Sequence, residues 1–240
     1  MRKIFVVLLF IALISGTSFS QEKLQSYIGV IKESYKNFEQ LYEAKTCVFI
    51  DYSTIIEESG EKAGQKYEAN VKCTFGNEKS SIISTEGEIY SDRSTIVTVV
   101  PAEKTITILK NPKKETGSSN VLGTLVNDSL YDFMQVARCE VMNIDGEKIY
   151  RIIVLLNKEG SKLLKVSSME FEISCDDKTL KKVNVKFLPS YKVKSFKIIY
   201  NQIIQDYKDG LNFNSVLDYI LVNGKLKEKY KSYNLVDYRK

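Results

Sequence analysis

The sequence contains no histidine and no tryptophan. Without His, neither a Ser-His-Asp nor a Cys-His nucleophile system can be assembled, and a typical catalytic zinc site loses its commonest ligand. Glycine-rich phosphate loops are missing, and so is any CxxC pair with metal-ligand spacing. Adjacent acids occur at Glu57-Glu58 and Asp176-Asp177, in turn-like contexts that suit solvated residues better than a glycosidase pair. These absences argue against an enzyme and give no reason to expect a cofactor or a metal.

A concentrated basic stripe is also lacking. Lys and Arg number 35 against 30 Asp and Glu, and they are spread along the chain, which speaks against nucleic-acid binding. What is present at the start is a leader pattern. Arg2 and Lys3 precede the apolar run FVVLLFIALI (5–14), and Ser18-Phe19-Ser20 places small residues where a signal peptidase reads. The expected cut lies near Ser20/Gln21, giving residues 1–20 as signal peptide and 21–240 as a single domain. The run is too short to span a bilayer, which takes roughly 20 apolar residues, and no Cys follows the cut to carry a lipid anchor. Export to the periplasm is the expectation. Removal of the leader leaves 33 basic and 30 acidic residues, a net charge of +3. A chain of about 220 residues can bury roughly 70% of its unfolded surface without disulfide staples.

Four cysteines, Cys47, Cys73, Cys139 and Cys175, permit three disulfide connectivities in an exported protein. Cys47 and Cys73 flank the turn ESGEKAG (58–64) at eleven and nine residues, so a hairpin there places them nearly opposite each other and makes them a candidate disulfide. Buried free thiols are the equally open reading.

Leu24, Tyr27, Ile28, Ile31, Tyr35, Phe38 and Tyr42 recur at helical steps and predict a helix over residues 22–43. The period then becomes two. Strands are expected at 47–56, 66–75, 80–90, 94–100 and 104–109, followed by a polar connector at 111–119. Leu122, Leu125, Val126, Leu130, Phe133 and Ala137 then form a second helical stripe. Strands return at 138–144, 147–156, 167–175, 179–187 and 195–203, with Asp-Gly in IDGE (144–147) marking a hairpin. A short helix is expected at 215–222, amid a Tyr-rich C-terminal part.

Clean alternation means that one sheet face is apolar and the other meets water. The stretch MEFEISC (169–175) and its partner KKVNVKF (181–187) show it best. About ten strands carry more apolar face than two or three helices can cover. The expected fold is therefore α+β, an antiparallel half-barrel with helices over its concave side. Candidate walls of an apolar cavity are Val71, Phe75, Ile89, Met169, Phe171, Ile173, Val183, Val185 and Phe187. The same residues can also simply pack against Leu122, Leu125, Leu130 and the N-terminal helix.

This order of elements resembles the periplasmic outer-membrane lipoprotein carrier (LolA-like) family. The resemblance lies in GEIYSDRSTIVTVVPAEKTITILKNP (87–112), where Tyr90-Ser91-Asp92 and Pro101 through Ile108 follow the family outline, and in SYKNFEQLYEAKTCVF (34–49). Arg93 stands where the family usually has Gly, and Val99 where an aromatic is common. Residues 80–89 lack the Arg that latches the helical lid in the family's carriers. The resemblance implies a non-catalytic carrier or chaperone that binds lipid or lipoprotein acyl chains. The alternative is an envelope-complex subunit that binds other proteins through the same fold with a filled core.

Overall fold

In the computed structural model, which describes residues 23–43, 46–111, 128–208, 210–211 and 213–239, the alternating segments join one sheet of twelve strands. The expected leader and its cleavage point, the body of the 111–119 connector, and the stripe at Leu122, Leu125 and Val126 lie outside these residues. Helix α1 spans Tyr27–Glu43. It is followed by β1 (Val48–Glu58), β2 (Lys66–Gly76), β3 (Lys79–Ser84), β4 (Glu88–Ser91), β5 (Thr95–Val100) and β6 (Thr105–Lys110). A single turn α2 (Asp128–Tyr131) leads into β7 (Met134–Ile144) and β8 (Glu147–Leu156). Helix α3 (Lys158–Leu164), β9 (Val166–Ser174), β10 (Leu180–Phe187) and β11 (Val193–Ile204) follow. The C-terminal segment contains a 3-10 turn (Val216–Tyr219), the small hairpin β12–β13 (Leu221–Val222 and Lys225–Leu226), and β14 (Asn234–Asp237).

The strand order is β14-β6-β5-β4-β3-β2-β1-β11-β10-β9-β8-β7. Strand β1 joins the two halves by pairing β2 on one side and β11 on the other. The sheet is open, half-barrel-like, and larger than the expected ten strands. It is also not purely antiparallel, because β14 runs parallel to β6. Two further expectations are corrected. The proposed strand 80–90 is two strands separated by a turn at 85–87. Ala137 sits in β7 as the extra residue of a bulge, since Val136 pairs Val154 and Arg138 pairs Ile153. The helical stripe therefore ends before it.

Cross-strand register assigns the faces. Ile50, Cys73, Ile82, Ile89, Thr98 and Thr107 form one row across β1 to β6, on what we call face A. The neighbouring row, Phe49, Thr74, Ser81, Tyr90, Val97 and Ile108, lies on the opposite face B. Helix α1 packs on face A over β7 to β11 and β1. Its Ile28, Ile31, Phe38 and Leu41 meet Ile50, Ile152, Phe171 and Ile173 in one buried cluster, while Lys32, Glu33, Lys36 and Glu39 face solvent. Tyr35 meets the Phe171 ring edge-on at 6.2 Å, and burial pushes its hydroxyl pKa up. Gln25, just before α1, donates to the Met134 carbonyl and accepts from the Val136 N–H, tying the helix entry to edge strand β7.

A second core lies on face B. There Tyr90, Val97, Val99, Ile106 and Ile108 pack against Phe213, Val216, Ile220 and Tyr230 of the C-terminal segment. That segment leaves β11 on face B, where Tyr207 stacks on Phe49 at 4.9 Å. It is fastened by Asp92, whose carboxylate accepts the Ser94, Thr95 and Val216 N–H groups. Glu88 adds a second fastening by accepting both the Tyr90 and Tyr230 hydroxyls. The side that is buried therefore changes between the halves: face A in β7–β11 and β1, face B in β4–β6.

On face B of β7–β10 the pattern is polar. Glu140, Arg151, Glu170, Glu172 and Lys182 form one ion network, with Lys182 at 2.7 Å and Arg151 at 3.1 Å from the same Glu172 oxygen. Glu172 is only 8% exposed. Burial alone would raise its pKa, but the hydrogen bonds from Lys182 and Arg151 outweigh burial and hold it below the ordinary 4.5. A depressed carboxylate stabilises the fold above its unfolded pKa, and that contribution fades as pH falls through the folded value. Stability should thus be flat near neutrality and decline below about pH 4.5. Glu172→Gln should cost about 1.5–3 kcal/mol at pH 7 and flatten that acid decline, as measured by urea unfolding across pH.

Candidate functional site

The space beneath α1 is filled. Phe171, Ile173 and Ile152 are each 0% exposed, and Met169 and Val183 are buried with them. Val185, Phe187 and Phe75 are half-buried at the margin of the same cluster. Seven of the nine residues read as cavity wall therefore lie in or against the α1-covered core, and the remaining two, Val71 and Ile89, lie beyond it on face A.

From that margin face A continues uncovered among the described residues. Ile82 is 38% exposed and Ile89 40%, and they pair directly across β3 and β4. Leu109 and Tyr67 are exposed on the same face, and Val71 and Ile96 are half-exposed. The two rows Cys73-Ile82-Ile89-Thr98-Thr107 and Phe75-Ser80-Ser91-Ile96-Leu109 carry no charged side chain. Ser80 and Ser91 hydrogen-bond one another at 2.7 Å, which satisfies the polar atoms between the apolar ones. From β2 to β6 this uncharged strip crosses four strand spacings of about 4.8 Å each.

A cleft of about 560 Å³ opens on face A at the other margin of the core, between the C-terminal half of α1 and β10–β11. Ser34, Asn37, Gln40 and Gln205 contribute polar groups, while Phe38, Leu41, Leu180 and Tyr200 contribute apolar ones. None of the nine wall residues lines it. Tyr200 contacts Tyr52 with 6.0 Å between ring centroids, and the Tyr52 hydroxyl lies 4.0 Å from the Cys73 sulfur. Cleft and strip are thus linked along one face. Sequence periodicity marks the floor of the cleft but not its rim, because rim amides look like ordinary surface residues.

The cysteines do not form the expected pair. All four are free thiols. The β1–β2 register places Ile50 opposite Cys73 and Phe75 opposite Val48. The turn is centred between residues 61 and 62, within ESGEKAG, but Cys47 stands three residues farther from that centre than Cys73, so it lies opposite Gly76 and out of reach of Cys73. Its sulfur instead occupies the space a side chain at Gly210 would need, 2.3 Å from a Cβ built there. Burial raises the pKa of the Cys73 thiol, against a lesser lowering by Tyr52.

No protein-family model matches the chain. No curated protein matches its sequence. Solved structures do resemble it. An uncharacterized conserved protein from Thermus thermophilus is 9% identical with a TM-score of 0.41, the match covering 88% of this chain and 99% of that one. A LolA superfamily protein from Nitrosomonas europaea is 9% identical, TM-score 0.29, covering 73% and 91%. LprF from Mycobacterium bovis is also 9% identical, TM-score 0.35, covering 76% and 93%. Function must be argued from this chain's own surfaces.

With Cys47 and Cys73 out of register, the purified, unreduced protein should have the mass of the fully reduced chain and react with a thiol reagent at all four cysteines after denaturation. A mass lower by a pair of hydrogens would overturn that assignment.

Proposed function

We propose that this protein is an exported, non-catalytic carrier or chaperone that holds acyl chains on the open apolar strip of face A. The observation that carries this reading is the Ile82–Ile89 pair with its uncharged surroundings, open to solvent next to a filled core. Exposed apolar surface of this kind marks a binding site. Its width, about 19 Å at ~4.8 Å per strand, exceeds the ~15 Å depth of one leaflet of a bilayer's hydrocarbon. Each buried CH2 contributes about 0.8 kcal/mol, so an acyl chain needs little polar recognition there. Site residues under this reading are Val71, Phe75, Ile82 and Ile89, with Ile96 and Leu109 on β5 and β6. Met169, Phe171, Ile173 and Val183 support the floor from the core, and Val185 and Phe187 flank it.

An envelope-complex subunit is the second reading, favoured by edge strand β7, where Val141 and Ile144 are exposed beside backbone that pairs no further strand among the described residues.

Displacement of a fluorescent fatty acid tests the proposal. The wild type should bind the probe saturably, and Ile82→Asp with Ile89→Asp should weaken binding by about 10–100-fold. Only about two-fifths of each side chain is open to be covered, which is worth roughly 0.7–1.3 kcal/mol per isoleucine and about 1.4–2.6 kcal/mol for the pair. Both side chains are exposed, so the thermal midpoint should hold. Absence of probe binding by the wild type, or unaltered binding by the double variant, sinks the carrier reading. Crosslinking in the native envelope to one fixed neighbour would then support the subunit.

A further inference from the structure

We propose that the cleft between α1 and β10–β11 is a second binding site, and that it takes an uncharged, multiply hydroxylated group. Ser34 carries the inference. Its side chain is 1% exposed, it lines the cleft, and its hydroxyl oxygen has no hydrogen-bond partner among the described residues. A buried hydroxyl left unpaired is costly, and native proteins seldom retain one without a use for it. A ligand hydroxyl reaching into the cleft would satisfy it.

The rim specifies the chemistry. Asn37, Gln40 and Gln205 present carboxamides, which both donate and accept. Hydroxyls also do both, so a polyol or sugar ring matches such a rim, whereas an anion or cation would want one sign of charge. The two charges at the cleft are opposite and already engaged. Lys181 is paired with Glu147 at 2.9 Å, and Asp177 accepts the Thr179 N–H at 2.9 Å. Asn37 also donates to the Asp177 carbonyl at 3.3 Å, which fixes one rim amide in place. The volume, about 560 Å³, falls within the range of small-molecule sites, roughly 300–1,000 Å³.

The same head-group chemistry has two sources, a free sugar or polyol and the head of a lipid. The second rests on the carrier reading, because the Tyr200–Tyr52–Cys73 contacts lead from the cleft to the acyl strip on one face. The first does not.

The test is an NMR titration of the isotope-labelled protein, following the side-chain amides of Asn37, Gln40 and Gln205. The probes are methyl glucoside, octyl glucoside below its micelle concentration, octanoate and octyltrimethylammonium. At least one glucoside should shift these signals saturably, and the charged alkyl compounds should not. Ser34→Ala should weaken glucoside binding about tenfold, the loss of one hydrogen bond. The same variant should raise the ligand-free thermal midpoint by about 2–4 °C, because an orphaned buried hydroxyl is gone. Methyl glucoside sufficing identifies a free sugar or polyol; a requirement for the octyl chain identifies a lipid head. Ile82→Asp should spare methyl glucoside binding, so failure of the carrier reading and failure of this one are told apart. The inference is overturned if neither glucoside moves the amides, if the charged compounds move them equally, or if Ser34→Ala binds unchanged.

Discussion

The structure depends on one imbalance between sheet and cover. Twelve strands in an open array present two broad faces, and the described chain has one long helix and one C-terminal segment to lay against them. Helix α1 can shield the width of about half the strands. The rest of the apolar surface must turn to the other face, be thinned with hydroxyl residues, or stay open. All three solutions are visible. Strands β4–β6 turn their Val and Ile residues to face B, where the C-terminal segment covers them. Ser80, Ser91, Thr98 and Thr107 thin the apolar content of face A in that half. Ile82 and Ile89 remain open.

The inversion has an electrostatic counterpart. Face B of β7–β10 has no cover among the described residues, and it carries Glu140, Arg151, Glu170, Glu172 and Lys182. Opposite charges directly across strands stabilise the pairing and hold register where packing on that face does not. The apolar row of β9 on face A and the acidic row on face B are thus two consequences of one alternation, MEFEIS, read by two environments. In β5 the same alternation is read the other way, with Thr95, Val97 and Val99 buried on face B.

Much of the strand order was legible because alternation and turn chemistry agree. Asp145-Gly146 adopts the positive-φ pair that a tight hairpin requires, at 52° and 85°. The same chemistry stands at Asn223-Gly224, with φ of 52° and 74°, and there the helix expected over 215–222 is corrected to a 3-10 turn followed by a hairpin. Helix α3 had a signal in Asn157, whose side chain accepts the Gly160 N–H, but at seven residues it is too short for periodicity to reveal. Gly160 is required there by the approach of Phe133, a tertiary fact. What alternation could not disclose is which face is covered, because period two assigns residues to sides without naming the side that meets the core. Hence the wall residues on β9 and β10 became core, while Ile82, on a strand that alternates poorly, went unread. The Cys47–Cys73 pairing fails on a simpler count: the hairpin is centred within ESGEKAG, between residues 61 and 62, and Cys47 stands three residues farther from that centre than Cys73.

Cleft and strip both lie on face A, one at each margin of the core that α1 closes, and this shared side constrains what a single cargo can be. A purely apolar chain would use the strip and leave Ser34 and the rim amides without purpose. A small polar solute would use the cleft and leave Ile82 and Ile89 wet. A ligand with an apolar tail and an uncharged hydroxylated head uses both, and the Tyr200–Tyr52–Cys73 contacts supply a continuous floor between them. The near balance of charge in the chain, 35 basic to 30 acidic residues, fits a surface with no anionic head group to attract. Covering the strip with a tail removes apolar area from water without asking the sheet to rearrange, since the floor beneath is already filled by Phe171, Ile173 and Ile152. Rigid support below and exposure above is the arrangement that lets binding proceed with little ordering cost to the protein.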